Sequence, residues 1–245
     1  MSPSRRPRSD PGQRSRKSRR RTPIAPAAED RARALELTPV SRETLERLDR
    51  FVGLLLTWQQ TTNLIAPSTI LHLWTRHIAD SLQLLESAPD AQIWIDLGTG
   101  GGFPGLVIAC ALAQRPGAHV HLIESNNKKA AFLREAQRLT EAPATVHAMR
   151  MEEFVASFQG RADAVTARAL APLKSLLDHC FPLLGKSGAV GLFPKGRHAE
   201  LELRQARESA ASEGWIMAAA LVPSRIEPAG HIVVIRDVER RNIRP

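Results

Sequence analysis

Apolar residues along this chain first recur at a helical period and then give way to short β-favouring runs. Leu45, Leu48, Val52, Leu55 and Leu56 share one face, which predicts a helix from Ser41 to about Gln60, with Glu43 in its first turn. Polar Thr61-Thr62-Asn63 ends it. After Pro67 the spacing resumes with Leu71, Trp74, Ile78, Leu82 and Leu85, predicting a second helix capped by Ser68. That stripe reads as core packing. Arg76, His77 and Asp80 fall on the opposite side, with Ser81 beside them. Residues 23–40, rich in Ala and Pro and then mixed in charge, read as a linker or a frayed helix.

From Ile93 the pattern changes. Ile93-Trp94-Ile95 run into Asp96 and a glycine cluster, and an apolar helical run, Leu106 to Leu112, follows at once. Strands are predicted at 119–124, 144–149, 162–167 and 189–193, alternating with helices at 127–139, 152–158, 172–184 and 197–213. Such alternation implies a parallel sheet with right-handed crossovers. The β-rich runs 215–222 and 231–236 have no helix between them and predict a hairpin that places one antiparallel strand in the sheet. Ligands in these sheets bind beyond the strand C-termini, which here carry Asp96, Glu124, residues 149–152, Arg168 and Lys195.

The glycine cluster raises the question of ligand. Glycine lets a turn reach positive φ and brings backbone N–H groups close to a bound group, and a helix N-terminus adds unsatisfied donors. Gly100, Gly102 and Gly105 satisfy the dinucleotide pattern G-x-G-x-x-G, with Glu124 at the expected distance beyond. No Gly-Lys-Ser/Thr follows, so a phosphate P-loop is excluded. Asp96, at the strand end before the glycines, would repel a pyrophosphate. S-adenosylmethionine carries a sulfonium, an ammonium and a ribose diol but no phosphate, and two acids suit it better than NAD, which stays the alternative.

Composition narrows the class. At 245 residues and 43% hydrophobic content the chain can bury a sizeable core, and no apolar run approaches a membrane span. A basic N-terminus without an apolar signal core reads as cytoplasmic. Cys110 and Cys180 match no metal or disulfide spacing and read as buried free thiols. Residues 1–22 hold nine Arg/Lys against Asp10 alone, so they carry +8 of the net +9. A Ser/Pro/Arg-rich run of this kind is expected to be disordered and to gather phosphate backbones without sequence preference. Aromatics are only 4% and tyrosine is absent, which argues against an extended base-stacking platform. The expected organisation is a basic arm and linker over 1–40, a helical extension over 41–90, a catalytic domain over 91–237 and a tail over 238–245.

Taken together the motifs resemble those of the bacterial 16S rRNA guanine-N7 methyltransferases, the RsmG family, also called GidB. The matching segments are Trp58 through Asn63-Leu64, Arg76-His77-Ile78-Ala79-Asp80-Ser81, and Asp96 through the Gly-Phe-Pro-Gly ending at Gly105. They continue with Glu124 to Leu133, Arg150 to Phe154, Thr166-Ala167-Arg168-Ala169 and Lys195-Gly196. The resemblance spans about residues 45–237 and says nothing of the arm. It implies a class I S-adenosylmethionine-dependent methyltransferase fold, Rossmann-like, with a mostly parallel seven-stranded sheet. It also implies S-adenosylmethionine as donor and a guanine in the decoding-region loop of 16S rRNA, or of the small ribosomal subunit, as acceptor. Gly98, Phe103, Glu124, Met151, Glu152 and Arg168 are then expected at the cofactor site: Phe103 by backbone and by covering the ligand, Glu124 on the ribose hydroxyls, Met151 and Glu152 at the adenine.

Guanine N7 carries a lone pair and no proton, so its methylation needs no general base. No catalytic His or Asp and no metal are therefore expected, and a monomer is the expected state. His77 reads as a packed, hydrogen-bonded histidine, and Lys128 and Lys129 as a solvated helix face. Two other functions stand beside this one: an NAD-dependent oxidoreductase built on the same turn, and a ribosome-binding scaffold without catalysis.

Overall fold

A computed structural model of the chain describes residues 25–241. The basic arm expected over residues 1–22 lies outside them. The centre is a seven-stranded sheet in the order β3-β2-β1-β4-β5-β7-β6. Its strands are β1 (Ile93–Leu97), β2 (His119–Ile123), β3 (Ala144–His147), β4 (Ala164–Thr166), β5 (Val190–Lys195), β6 (Trp215–Pro223) and β7 (His231–Arg240). Strands β1 to β5 pair in parallel, and β7 runs antiparallel to both β5 and β6. The final hairpin thus inserts its second strand inside the sheet and leaves its first at the edge.

Period-two alternation divides the strand side chains between two cores. Trp94, Val120, Leu122, Ile232 and Val234 face one core, where α2 (Arg42–Gln59), α5 (Gly105–Leu112) and α6 (Asn127–Thr140) pack. Ile95, Leu97, Ile123, Val233 and Ile235 face the other, against α7 (Met151–Ser157), α8 (Leu173–Ser187) and α9 (Ala199–Ser212). Strand β1 lies between them and is almost wholly buried, which is why its sequence reads as a continuous apolar run. Cys110 and Cys180 are free and buried, and burial pushes the Cys110 thiol up to about 12.

Two stretches differ from the sequence expectation. The segment read as linker or frayed helix contains α1 (Ala28–Leu37), which docks on the rest: Ala34 is buried, and Arg31 grips Asp49 through two hydrogen bonds of 3.1 and 2.7 Å. The helix expected after Pro67 is broken into a 3-10 segment Pro67–His72, a π-helical segment Trp74–Ala79, and the short helices α3 (Asp80–Leu82) and α4 (Leu84–Ser87). Ala66, not Ser68, precedes its first turn as cap, and Leu71 is exposed while Ile70 and Leu73 are buried. The cause lies in α1. The buried Asp30 carboxylate accepts from the backbone N–H groups of Trp74 (2.9 Å) and Thr75 (3.3 Å) and from the Thr75 hydroxyl (2.5 Å). Ala27 N donates to the Leu71 carbonyl at 3.3 Å. A regular helix would join Thr75 N–H to that same carbonyl; α1 takes both ends of the bond, and a new helical segment starts there.

At the other end, β7 continues through Arg240, so residues 238–240 belong to the sheet rather than to a tail. None of the described helices is long and apolar enough to cross a membrane.

Candidate active site

Sheet order reverses between β1 and β4, and the glycine turn after β1 lies at that switch point. Gly98, Gly100 and Gly102 all have positive φ (67°, 58° and 92°). The turn is tied to the next strand by Thr99 N donating to Ile123 O at 3.0 Å, and closed by Gly102 N and Phe103 N donating to Thr99 O. Asp96 lies beneath it. Its Oδ2 accepts from Gly105 N at 2.8 Å and from the Thr99 hydroxyl, while its Oδ1 accepts from no donor among the described residues. A Cβ on Gly105 would stand 2.6 Å from Asp96 Oδ2 and 2.4 Å from Leu122 Cδ2, so only glycine admits this contact. Burial drives the Asp96 pKa up to about 7, against the lowering influence of its Thr99 and Gly105 hydrogen bonds. The sequence reading set Asp96 facing a ligand. The structure makes it the fully buried anchor of the turn, because the first N–H of α5 needs an acceptor where no side chain intervenes.

Above the turn opens a cleft of about 480 Å³ whose lining includes Gly98, Phe103, Glu124, Met151, Glu152 and Arg168. All six residues expected at the cofactor site thus meet at one place. Glu124, just past β2, accepts from Gly100 N (3.0 Å) through Oε2 and from Asn126 N (2.7 Å) through Oε1. Each oxygen takes one donor and keeps a lone pair. Met151 and Glu152 open α7, and Lys129, read from sequence as part of a solvated face, also reaches the cleft. Phe103 is 4% exposed and rests on Phe51 of α2, ring centres 5.4 Å apart. The N-terminal extension therefore supports the floor of the site directly.

Arg168, just beyond β4, is fixed on every side. Its Nη1 donates to Asp80 Oδ2 and to the Arg76 carbonyl, both at 3.0 Å, and its Nη2 to His77 Nδ1 at 2.7 Å. The guanidinium carbon lies 5.3 Å from the centre of the Phe103 ring. With Nδ1 accepting from Arg168, His77 carries its proton on Nε2 and donates to Thr69 Oγ1 at 2.8 Å. Its ring packs on Phe103 at 4.8 Å. Burial, then the Arg168 and Arg76 charges, bring the His77 pKa down to about 3. His77, Arg168, Ala169 and Leu170 also border a second, larger cavity of about 900 Å³, lined further by Asp80, Lys195 and Glu227. Ala169 has φ 53°, and the Leu170 side chain lies over Gly98.

Sequence reasoning did not name Asp80 as the acid paired with Arg168, and it missed the wall formed by Ala169 and Leu170. The first had a signal: Arg76, His77 and Asp80 at helical spacing opposite an apolar stripe. The second had none, since a left-handed alanine is invisible in sequence. No group of three or more His, Cys, Asp or Glu among the described residues is arranged to hold a metal ion.

A parallel sheet closed by an antiparallel β7, with a glycine turn at the switch point and a cleft over it, is the class I S-adenosylmethionine-dependent methyltransferase fold. Solved structures sharing it include an O-methyltransferase from Bacillus cereus in complex with SAH (TM-score 0.55, 14% identity, 84% of this chain and 96% of that one). The O-methyltransferase TomG from Streptomyces achromogenes in complex with SAM is similar (TM-score 0.51, 14% identity, 85% and 95%). The family model GidB, rRNA small subunit methyltransferase G, matches residues 44–227. Relatives named ribosomal RNA small subunit methyltransferase G are 57% identical in Bradyrhizobium sp. (strain BTAi1), over 88% of this chain and 94% of that protein. In Methylobacterium sp. (strain 4-46) the figures are 52%, 84% and 94%. The chain belongs to the rRNA small subunit methyltransferase G family and is an rRNA methyltransferase. The oxidoreductase alternative is thereby set aside.

Proposed function

We propose that this enzyme transfers the methyl group of S-adenosylmethionine to N7 of a guanine in the decoding-region loop of 16S rRNA, acting in the cytoplasm. The cleft suits that donor. The spare lone pairs of Glu124 match a pair of ribose hydroxyls and would repel phosphate; Met151 and Glu152 would flank the adenine, Gly98 the methionyl part, and Phe103 and Arg168 the wall beside it. Bound there, S-adenosylmethionine supplies an electrophilic methyl on sulfur.

The observation that carries the choice of acceptor is the state of His77. It borders both cavities, yet its basicity is low and its Nδ1 lone pair is taken by Arg168. An acceptor that must lose a proton would be poorly served; guanine N7 has none to lose. The chain's work is then to hold the base, exclude water and keep the attacking nitrogen in line, about 3–3.5 Å from the methyl carbon. Positive charge appears on the guanine as the methyl arrives. Arg168, its charge offset by Asp80 at 3.0 Å, opposes that less than a lone cation would.

The test is transfer from isotopically labelled S-adenosylmethionine to small subunits and to protein-free 16S rRNA from cells lacking this gene, followed by nuclease digestion and mass spectrometry. Label as N7-methylguanosine in that loop is the expected result. Label on another atom, or none on either substrate, overturns the reading.

A further inference from the structure

Lys195 ends β5 with its side chain only 10% exposed. Its Nζ donates to the Ala171 carbonyl at 2.7 Å and lies 2.9 Å from Glu202 Oε2. The same carboxylate oxygen accepts from Leu173 N at 2.8 Å. Glu202 belongs to the first turn of α9, so β5, α9 and the segment that follows β4 are tied at one point. That segment starts at Arg168, already fixed to Asp80, His77 and the Arg76 carbonyl. Between the two anchorages lie Ala169 and Leu170, the wall common to the cleft and the larger cavity.

The wall is not in a relaxed conformation. Ala169 has φ 53°, which is disfavoured for a residue with a Cβ, and backbone strain of this kind persists only where the surroundings over-determine it. Leu170, 40% exposed, is pressed so close to Gly98 that a Cβ there would stand 2.5 Å from its Cδ1. A largely buried ion pair is also a poor device for stability alone, because desolvation offsets the attraction. What Lys195 and Glu202 do is fix the backbone on the far side of the strained residue.

We propose that Lys195, through the Ala171 carbonyl and Glu202, is a positioning residue for methyl transfer: it holds the Ala169–Leu170 wall in the one conformation that aligns an acceptor in the larger cavity with a donor in the cleft. This rests on reading the two cavities as acceptor and donor sites. Lys195 borders the larger cavity, but it acts on the reaction by setting the wall between donor and acceptor rather than through the reacting atoms.

Four variants test it: Lys195→Met, Lys195→Arg, Glu202→Ala and the double variant Lys195→Met with Glu202→Ala. Each is measured for kcat and KM on small subunits, for affinity to S-adenosylhomocysteine, for Tm, and for amide hydrogen exchange over residues 168–173. Lys195→Met should lower kcat about 10- to 100-fold, the usual cost of slight misalignment, with KM and S-adenosylhomocysteine affinity little changed. Glu202→Ala should do the same, and the double variant should be no slower than the worse single one, since the two side chains act as a unit. Lys195→Arg should recover part of kcat, and exchange over 168–173 should quicken in step with the loss. A raised KM with kcat intact and a silent Glu202→Ala would make Lys195 an RNA contact and overturn the proposal. So would unaltered exchange in Lys195→Met, or in Glu202→Ala should Lys195→Met not fold. A wild-type enzyme that methylates neither substrate defeats the reading of the reaction, while the exchange measurement still judges the clamp.

Discussion

Single residues in the glycine turn carry distinct costs, and the contacts separate them. At Gly105 a Cβ meets the side chains of Asp96 and Leu122 on buried strands, neither of which can withdraw. Gly105→Ala should therefore cost about 3 kcal/mol or more, at or above the upper end of the usual range for overpacking a core. At Gly98 the Cβ meets the end of the side chain of Leu170, which is 40% exposed and can turn aside without moving the backbone. The cost to stability there comes from the positive φ, about 1–2 kcal/mol. Urea midpoints rank the two, and Gly98→Ala proving the more damaging would contradict this account. Asp96 shows how far sequence reaches at this scale. An acid before the glycines was legible as functional chemistry, yet its place under the turn depends on Gly105 lacking a side chain, a three-dimensional fact. Of the residues around the cleft, Glu124, Met151, Glu152 and Arg168 were legible from the alternation that places them at strand ends, whereas Gly98 and Phe103, in the glycine turn, came from the family resemblance. Of the two partners of Lys195, the Ala171 carbonyl was not legible, because a backbone group leaves no mark on composition.

Among elements, those set by their own sequence were legible and those set by distant neighbours were not. Ser41 caps α2, its hydroxyl accepting from Thr44 N, and the β-rich runs without an intervening helix form the expected hairpin. The broken stretch from Pro67 to Ser87 was misread as one helix because its interruption comes from Asp30, 44 residues earlier. Removing that carboxylate leaves the Trp74 and Thr75 N–H groups without acceptors. Asp30→Ala should cost about 1–3 kcal/mol, the penalty for buried unsatisfied donors, and should release α1 to proteolysis ahead of global unfolding. Limited proteolysis with mass mapping reads this out. Cleavage within 28–37 no faster than in the wild type would mean that α1 is held by other contacts. The π-helical turn thus starts where α1 docks, and the same turn carries His77 into the wall of the site.

At the scale of the whole molecule, titration sets a pH profile. His77 and His121 have pKa values lowered to about 3 and about 4, burial being the main cause in both, and His119 and His147 shift the same way. His121 Nδ1 faces His147 Nε2 at 3.0 Å, a contact that holds one proton comfortably but not two. The unfolded chain protonates these histidines near 6.5 and the folded one does not, so their contribution is complete above that pH and is lost as pH falls towards 4. Asp96, raised from 3.8 to about 7, works in the opposite sense: its contribution declines as pH rises through that interval. Two or more histidines against one carboxyl leave stability rising with pH between 5 and 6.5, at about 1.4 kcal/mol per pH unit for each net proton. The urea midpoint should fall on acidification from pH 7 to 5, and Asp96→Asn should make the fall steeper; a flat profile would refute the assignment. Charge gives a second prediction at this scale. Deleting residues 1–22, which carry +8, should weaken rRNA affinity and flatten its dependence on salt while sparing cofactor affinity. An unchanged slope in a filter-binding titration would deny the arm a role. Finally, the partition formed by Arg168, Ala169 and Leu170 belongs to both compartments at once. Thermodynamic reciprocity follows: if filling one compartment favours a particular setting of the partition, it changes the other's affinity by a factor that must be identical in the reverse direction. The enzyme's affinities for the spent donor and for the modified nucleotide are then linked, each raising or lowering the other by that single factor.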